Sequence, residues 1–222
     1  MRVMTWNIHG GVGPDGRCDL HRIVDLARRH APDILALQEV DERRMAGSAF
    51  EFLADSLGGH CAQARLITAP DGDYGHIVIS RWPLTSSTQH DLSVAGRERR
   101  GAIDTTVDTP NGPLRVMAVH LGLGLRERRR QARALAAISA QGPERAVLLG
   151  DFNEWTRRGA VQRTLTEQLP RHTHHKSWPA FRPLFALDRI YCRPSGLLAH
   201  SWTDACARAA SDHLPIIADL KA

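Results

Sequence analysis

The chain has 222 residues, of which 42% are hydrophobic and 24% charged. These proportions are close to those of globular domains, so they exclude a largely disordered or collagen-like chain. A chain of this length can bury a core without a disulfide or metal staple, and we expect one domain spanning residues 1–222. The net charge is +5, and all but two of the 29 basic residues are arginine. Arginine is a good phosphate ligand, so the composition fits an anionic partner, although genomic base composition can produce the same bias.

The four cysteines are far apart and form no C-x-x-C pair: they are Cys18, Cys61, Cys192 and Cys206. This spacing predicts reduced, mostly buried thiols rather than a zinc knuckle or a thioredoxin-like motif. The first residues lack an apolar signal segment, and no apolar run approaches the length of a membrane span. We therefore expect a cytoplasmic protein.

Apolar runs and helix signals alternate over the first 60 residues. A buried strand is predicted at 3–8, and a helix follows with Asp19 as its N-cap and Pro32 as its stop. The next strand is predicted at 33–38. Ser48 and Glu51 form a capping box ahead of a second helix that ends at Gly58.

Strands dominate the middle of the chain, and helices return after it. The Pro110-Asn111-Gly112-Pro113 segment indicates a hairpin, hence antiparallel pairing. A helix is predicted at 126–140, and Thr156 is the predicted cap of a further helix that reaches Leu169. The predicted strands are 61–68, 76–80, 102–108, 114–121, 146–149, 187–192 and 214–220. This mixture favours an α/β sandwich with mixed sheets over a purely parallel doubly wound sheet.

Polar side chains recur where the predicted strands end. Each alone has an ordinary explanation, such as a turn residue, a surface acid or a satisfied core histidine. Together they need a reason, because polar groups at the ends of apolar strands are costly to bury. Carboxylates and amides are ligands for Mg²⁺, and a phosphoryl-transfer site also needs donors to phosphate and a group that positions water. The candidates are Asn7, Glu39, His120, Asp151, Asn153, Asp188, Asp212 and His213.

Six motifs in this order resemble those of the endonuclease/exonuclease/phosphatase superfamily. They are Thr5-Trp6-Asn7-Ile8, Leu37-Gln38-Glu39-Val40, Val119-His120-Leu121, Leu149-Gly150-Asp151-Phe152-Asn153, Leu187-Asp188-Arg189-Ile190 and Ser211-Asp212-His213-Leu214-Pro215. Tyr74-Gly75 and Ser80-Arg81-Trp82-Pro83-Leu84 are similar to a further family segment, in which His76 stands where many members have Asn. Arg100-Gly101-Ala102 also resembles a segment of bacterial members.

The resemblance implies a four-layer α/β sandwich, with two mixed β-sheets packed face to face and helices outside. It also implies a metal-dependent phosphoester hydrolase, a phosphodiesterase, nuclease or phosphatase that uses Mg²⁺, with Mn²⁺ as an alternative ion. Glu39 would be the main metal ligand, with Asn7 beside it and Asp212 as a further ligand.

The same resemblance assigns the remaining residues to the reaction. Asp151 would orient or deprotonate the attacking water, and Asn153 would help to hold water and phosphate. His213 would contact the scissile phosphate, and Asp188 would fix its tautomer. His120 would donate to a non-bridging oxygen. Whether Asp151 or His213 is the base stays open at this point.

Three other patterns have simpler interpretations. Residues 11–16 satisfy G-x-G-x-x-G, but Asp15 would place a negative charge beside a pyrophosphate and the helix signal begins only at Asp19. The run of arginines from Arg126 to Arg133 is typical of a solvated helix face, with a phosphate-binding patch as the alternative. His172, His174 and His175 resemble a metal cluster, and a loop is the preferred interpretation.

The sequence fixes the reaction class more firmly than the substrate. Nucleic acid and a phospholipid or its headgroup are the two leading classes, and a monomer is the expected state. Trp178 and Phe181 are candidates for a substrate wall or for core residues. The competing hypothesis is a catalytically silent basic module that binds nucleic acid or an anionic membrane.

Overall fold

The computed structural model describes residues 1–221 and contains two six-stranded mixed sheets with four α-helices. The strands are β1 (Arg2–Asn7), β2 (Ile34–Asp41), β3 (His60–Ala69), β4 (Gly72–Ser80), β5 (Leu84–Asp91), β6 (Gly101–Thr109), β7 (Gly112–His120), β8 (Ala146–Asp151), β9 (Arg171–His172), β10 (Asp188–Arg193), β11 (Leu198–Thr203) and β12 (Ile216–Leu220). The helices are α1 (Leu20–His30), α2 (Ala49–Leu57), α3 (Leu125–Ala140) and α4 (Ala160–Thr166). Short 3₁₀ turns lie at His9–Gly11 and Ala205–Ala209.

Each sheet is mixed and has a parallel pair at its centre. The first has the order β11-β12-β1-β2-β4-β3, and the second has the order β5-β6-β7-β8-β10-β9. The pairs β1–β2 and β7–β8 are parallel, whereas the other neighbours are antiparallel. The antiparallel β6–β7 pair confirms the predicted hairpin.

Three apolar clusters hold the layers together. The inner cluster joins the facing sides of the two sheets, with Val3 and Ile34 from the first sheet and Val116 and Leu149 from the second. One outer cluster packs α1 and α2 on the first sheet, and the other packs α3 and α4 on the second. The predicted four-layer sandwich, with mixed sheets face to face and helices outside, is confirmed.

Both predicted helix caps in the N-terminal half are present. The Asp19 side chain accepts a hydrogen bond from His21 N at 3.0 Å, and the Ser48 hydroxyl accepts one from Glu51 N at 3.2 Å. Each cap satisfies a backbone N–H at a helix start that has no partner within the helix.

Other local predictions are wrong for identifiable reasons. Strand β5 was not predicted because it is a polar, largely exposed edge strand with no apolar face. Thr156 does not cap α4, because Val161 N donates to the buried Glu154 carboxylate at 3.0 Å. That helix ends at Thr166, short of Leu169. The short β9 and the peripheral β11 were also missed.

The four cysteines are free thiols, as expected. Only Cys192 is buried, so the prediction of mostly buried thiols is wrong; Cys61 and Cys206 are exposed. None of the helices within residues 1–221 combines the length and apolar composition that crossing a bilayer requires.

The topology brings six strand ends to one edge of the sandwich. The C-terminal ends of the parallel strands β1, β2, β7 and β8 meet there, together with the starts of the antiparallel strands β10 and β12. Gly150 allows β8 to approach β7 just before this edge. A Cβ at this position would lie 1.9 Å from the Val119 carbonyl oxygen, and its φ of +146° disfavours other residues.

We expect Gly150→Ala to lower the free energy of unfolding by about 3 kcal/mol or more, because backbone must move and strain is added. Chemical denaturation measures this change. Gly96→Ala is the matched control, since its φ is also positive but no atom lies within 4 Å of the added Cβ. Equal losses in the two variants would contradict a role for the close β7–β8 approach.

Candidate active site at the strand ends

The Asn7 amide joins carboxylates from the two sheets. Its Nδ2 donates to Glu39 Oε1 at 2.7 Å and to Asp151 Oδ2 at 3.0 Å. Its Oδ1 accepts from the backbone N–H of His9 at 3.1 Å, which sets the orientation of the amide. Three of the predicted site residues are therefore in direct contact.

Glu39 and Asn153 have left-handed backbone conformations that non-glycine residues rarely adopt. Their φ values are +54° and +48°. Glu39 lies where the pairing of β2 with β4 shifts between Leu37 and Val40. Such irregularities re-aim side chains at the end of a strand, and backbone strain of this kind concentrates at functional sites.

A second group combines His213 with two buried carboxylates. His213 Nδ1 lies 2.7 Å from Asp188 Oδ2, and its Nε2 lies 3.9 Å from Asp151 Oδ2. Burial alone would lower the pKa of His213, but the Asp188 carboxylate raises it well above its usual range. The ring is therefore held as an imidazolium that points from Asp188 towards Asp151.

Asp151 lies between these two groups. Its Oδ1 accepts a hydrogen bond from Asn153 N at 2.8 Å. Burial and the nearby Asp188 charge raise the pKa of Asp151. The Asn153 Nδ2 donates to the Leu121 carbonyl at 2.9 Å, so this amide also connects the loops that follow β7 and β8.

His120 completes the buried side of the site. Its Nε2 lies 3.5 Å from Asp151 Oδ2 and 3.9 Å from Glu39 Oε1. Burial, together with the positive charge of Arg100, lowers the pKa of His120 to about 3. The ring is therefore neutral and can donate one hydrogen bond.

Asp212 lies on the open side of the site. Its Oδ2 accepts a hydrogen bond from Trp178 Nε1 at 3.1 Å, and its Oδ1 lies 3.7 Å from His9 Nδ1. The same His9 nitrogen lies 3.6 Å from Glu39 Oε2. The His9 ring thus occupies the space between two predicted metal ligands, and the Glu39 and Asp212 carboxylates raise its pKa despite partial burial. His9 is not among the residues that the sequence motifs singled out, and its place two residues after Asn7 is the signal that could have identified it.

Two sets of side chains could hold a metal ion. Ligand atoms of Asp151, Asp188 and His213 lie within 4.8 Å of one another, but Asp188 and His213 already hydrogen-bond to each other. Glu39 and Asp212 offer oxygens from side chains that are 24% and 45% exposed, which a hydrated ion can reach. Burial would raise the pKa of Glu39, but His9 and Asn7 lower it to about 2, so Glu39 is ionised. This second set fits Mg²⁺, a hard ion that prefers oxygen ligands and retains water.

Arg100 is a second residue near the site to which sequence reasoning gave no role. It is 5% exposed, pairs with Glu98, and its Nε has no hydrogen-bond partner among the described residues. Burial lowers the pKa of His76 to about 4, and the charge of Arg100 contributes, as it does at His120. A buried cation therefore lies close to both rings.

The other sequence patterns lie outside this group. Helix α1 begins at Leu20, beyond the residues 11–16 that match the glycine motif, and Asp15 pairs with Arg22 at 2.6 Å. Most of the arginine run on α3 is exposed, but Arg128 is buried and donates to backbone carbonyls of Gly122 and Leu123, so the solvated-face prediction is wrong for that residue.

The histidine cluster is also only partly a loop. His172 belongs to the short strand β9, and its ring centroid lies 4.1 Å from that of His174. His175 Nε2 instead lies 2.9 Å from the Ser201 hydroxyl. The three rings therefore contact different partners and do not form one cluster.

Comparison with known proteins gives a consistent result. The model of the Endonuclease/Exonuclease/phosphatase family matches residues 4–213. The uncharacterized protein YbhP of Escherichia coli (strain K12) is 32% identical over 246 aligned positions, covering 99% of this chain and 95% of that protein.

Solved structures show the same fold. An endonuclease/exonuclease/phosphatase from Beutenbergia cavernae DSM 12333 superimposes with a TM-score of 0.79 at 24% identity, over 100% of this chain and 71% of the other. TDP2 of D. rerio, solved with a single strand DNA product, has a TM-score of 0.73 at 17% identity, over 100% and 99% of the two chains. Because the family model and YbhP both match almost the whole chain, the chain belongs to the endonuclease/exonuclease/phosphatase family.

Proposed function

We propose that the chain is a divalent-metal-dependent phosphoester hydrolase in which water attacks phosphorus in line with the leaving group. The observation that carries this proposal is the convergence of Asn7, Glu39 and Asp151 on the His213–Asp188 pair. It places an oxygen ligand set, a carboxylate and an imidazolium within one small space. Residues from both sheets contribute, so we propose that residues 1–222 act as one catalytic unit.

Glu39, with Asn7 and Asp212, would hold Mg²⁺ or Mn²⁺. The bound ion would supply positive charge that neutralises the phosphate oxygens. The His9 ring lies between Glu39 and Asp212, so it would have to move out of the space between these carboxylates when the ion binds. The Asn7 amide donates to both Glu39 and Asp151 and so keeps these two carboxylates close together.

We assign to Asp151 the role of general base for the attacking water. The Asp188 carboxylate stabilises the protonated form of His213, so the imidazolium is poorly suited to accept a proton. It is suited to donate to the phosphate and to stabilise the charge that develops there. Asp151, which the Asn153 backbone and the Asn7 amide orient, would accept the proton of the water.

Neutral His120 would donate to a non-bridging phosphate oxygen, and Asn153 would hold the loop that positions the water. Arg100 would add positive charge behind His120. Most of the catalysis in this scheme is positioning and charge neutralisation, which is what phosphoryl transfer chiefly requires.

Two substrate classes are proposed. The D. rerio TDP2 structure contains a single strand DNA product, which supports a nucleic acid. A phospholipid or its headgroup offers the same phosphoester chemistry. We propose that the protein acts as a monomer.

The metal site is tested with Glu39→Gln, which keeps the side-chain shape but removes the charge. We expect EDTA to abolish hydrolysis of bis-p-nitrophenyl phosphate by the wild type, and Mg²⁺ or Mn²⁺ to restore it. The variant should need at least about tenfold more metal, because a neutral amide is a weaker ligand for a hard cation.

Thermal unfolding provides a readout that does not depend on activity. Either ion should raise the Tm of the wild type more than that of Glu39→Gln. Glu167→Gln, at the exposed end of α4, is the control and should behave as the wild type. The same Tm shift in all three proteins would remove Glu39 from the metal site.

The catalytic carboxylate is tested with Asp151→Asn. We expect kcat for bis-p-nitrophenyl phosphate to fall about a thousandfold, the scale of a lost general base. Asp108→Asn, an exposed carboxylate on β6, is the matched control. Absence of turnover by the wild type with either metal, with no difference between it and Asp151→Asn, would favour the silent binding module.

Arg100 is tested through the affinity for inorganic phosphate, measured as the inhibition constant in the same assay. Arg100→Gln should weaken inhibition about tenfold or more, since a buried positive charge behind His120 is lost from the neighbourhood of the phosphate. The exposed neighbour Arg99 provides the control variant Arg99→Gln. Equal inhibition of Arg100→Gln and wild type would show that Arg100 does not act on the phosphate.

A further inference from the structure

The exposed large apolar side chains of the described chain have an uneven distribution. All of them belong to three segments at the strand-end edge where the candidate site lies. The side chains are Leu123 and Leu125 after β7, Trp155 after β8, and Phe181 and Leu184 before β10, with exposed fractions from 39% for Trp155 to 79% for Phe181. Single exposed apolar residues are common, but their concentration on one face usually marks an interaction surface.

These segments are neighbours because their strands are neighbours. Strands β7, β8 and β10 are consecutive in the second sheet. The ring of Trp155 makes edge contacts with Trp178 and Phe185, at centroid distances of 5.1 and 5.0 Å. A cleft of about 260 Å³ lies between the last two segments. Since Trp178 also donates to Asp212, this aromatic group is joined directly to the candidate site.

The same three segments are positively charged. Their exposed basic side chains have no carboxylate within 4.0 Å in residues 1–221; they are Arg126, Arg129, Arg130, Arg133, Arg157, Arg158, Lys176 and Arg182. The acidic residues of these segments, Glu127 and Glu154, are buried and accept backbone hydrogen bonds. A further cleft of about 270 Å³ between α3 and α4 is lined by Arg129, Arg133 and Arg163.

We propose that this face, made of the five exposed apolar side chains and the basic residues around them, docks on an anionic phospholipid bilayer. Apolar side chains enter the headgroup region, while the cations that surround them pair with lipid phosphates. As regards the substrate, the inference rests on the proposed function: the phosphoester cleaved would be that of a lipid headgroup brought to the site by docking. Docking itself does not depend on hydrolysis.

The composition of the face distinguishes this partner from two others. Bases of single-stranded nucleic acid stack on aromatic rings, but the exposed side chains include three leucines, which offer no ring for stacking. A second copy of the same face would bring like charges together, which is unfavourable. Apolar residues interspersed with unpaired cations are instead the pattern of interfacial binding.

The test is co-sedimentation with vesicles, without added metal so that no lipid is consumed. We expect binding to equimolar phosphatidylcholine and phosphatidylglycerol, with at least about tenfold weaker binding to phosphatidylcholine alone. Leu123→Ser with Phe181→Ser should weaken binding to the anionic vesicles about tenfold or more through lost apolar burial. Arg126→Ser with Arg157→Ser should weaken it about twenty-five-fold, since each arginine contributes about fivefold.

Matched controls come from the opposite edge of the sheets. Arg171→Ser with Lys221→Ser removes the same charge from two exposed positions there and should leave vesicle binding unchanged. Equal Tm values would show that the variants fold. All substituted side chains are exposed, so folding should be retained.

Two results would overturn the proposal. One is wild-type binding to anionic vesicles no stronger than that to phosphatidylcholine, and the other is an equal loss of binding in the control and face variants. Binding of single-stranded DNA that the face variants abolish, without binding to vesicles, would assign the face to nucleic acid. Vesicle binding by a protein that, once Mg²⁺ or Mn²⁺ is added, hydrolyses neither the vesicle lipid nor bis-p-nitrophenyl phosphate would support docking while contradicting the proposed function.

Discussion

The bridge that Asn7 makes between Glu39 and Asp151 is the contact on which the site depends. Glu39 belongs to β2 of the first sheet and Asp151 to β8 of the second, so one amide from β1 links the edges of both sheets. Two carboxylates that accept hydrogen bonds from the same nitrogen are close enough to repel each other. The neutral amide donor between them lowers the free-energy cost of that repulsion. The packing of the apolar inner faces therefore sets the distance between these carboxylates, and through it the geometry of the site.

The same edge contains a large electrostatic cost, that of two buried carboxylates. Asp151 and Asp188 are almost completely buried, and a buried charge destabilises a protein unless it is paired and hydrogen-bonded. His213 offsets part of this cost through its contact with Asp188, and backbone and amide donors satisfy Asp151. The Asp188 Oδ1 still has no partner among the described residues. An arrangement this costly persists where a function needs it, which is why it supports a reaction better than any single residue does.

The order of strands and helices in the sequence predicted an α/β sandwich with mixed sheets, and the family resemblance supplied its four layers. The convergence of the predicted site residues could be foreseen because polar side chains follow the ends of buried strands. Asn7, Glu39, His120, Asp151, Asn153, Asp188, Asp212 and His213 lie at one edge. Strand β5 could not be foreseen, because its exposed polar residues carry no apolar alternation. The cap of α4 was misassigned because a buried Glu154 provides it from six residues upstream of the helix.

His9 and Arg100 were missed for a different reason. Their importance depends on tertiary neighbours: His9 on the space between Glu39 and Asp212, and Arg100 on burial beside His120 and His76. No periodicity or local spacing reports such contacts. The distribution of exposed apolar side chains is likewise a property of the assembled edge, since three segments far apart in the chain provide it.

The site and the basic apolar face share one structural origin. Each segment of the face continues directly from a strand that ends at the site: Leu123 follows His120, Trp155 follows Asn153, and Leu184 precedes Asp188. A surface pressed against these segments would therefore hold its phosphates next to the ends of the same strands. The proposed docking and the proposed catalysis use the same edge, so selection of the surface and positioning of the phosphoester would be coupled through the register of β7, β8 and β10.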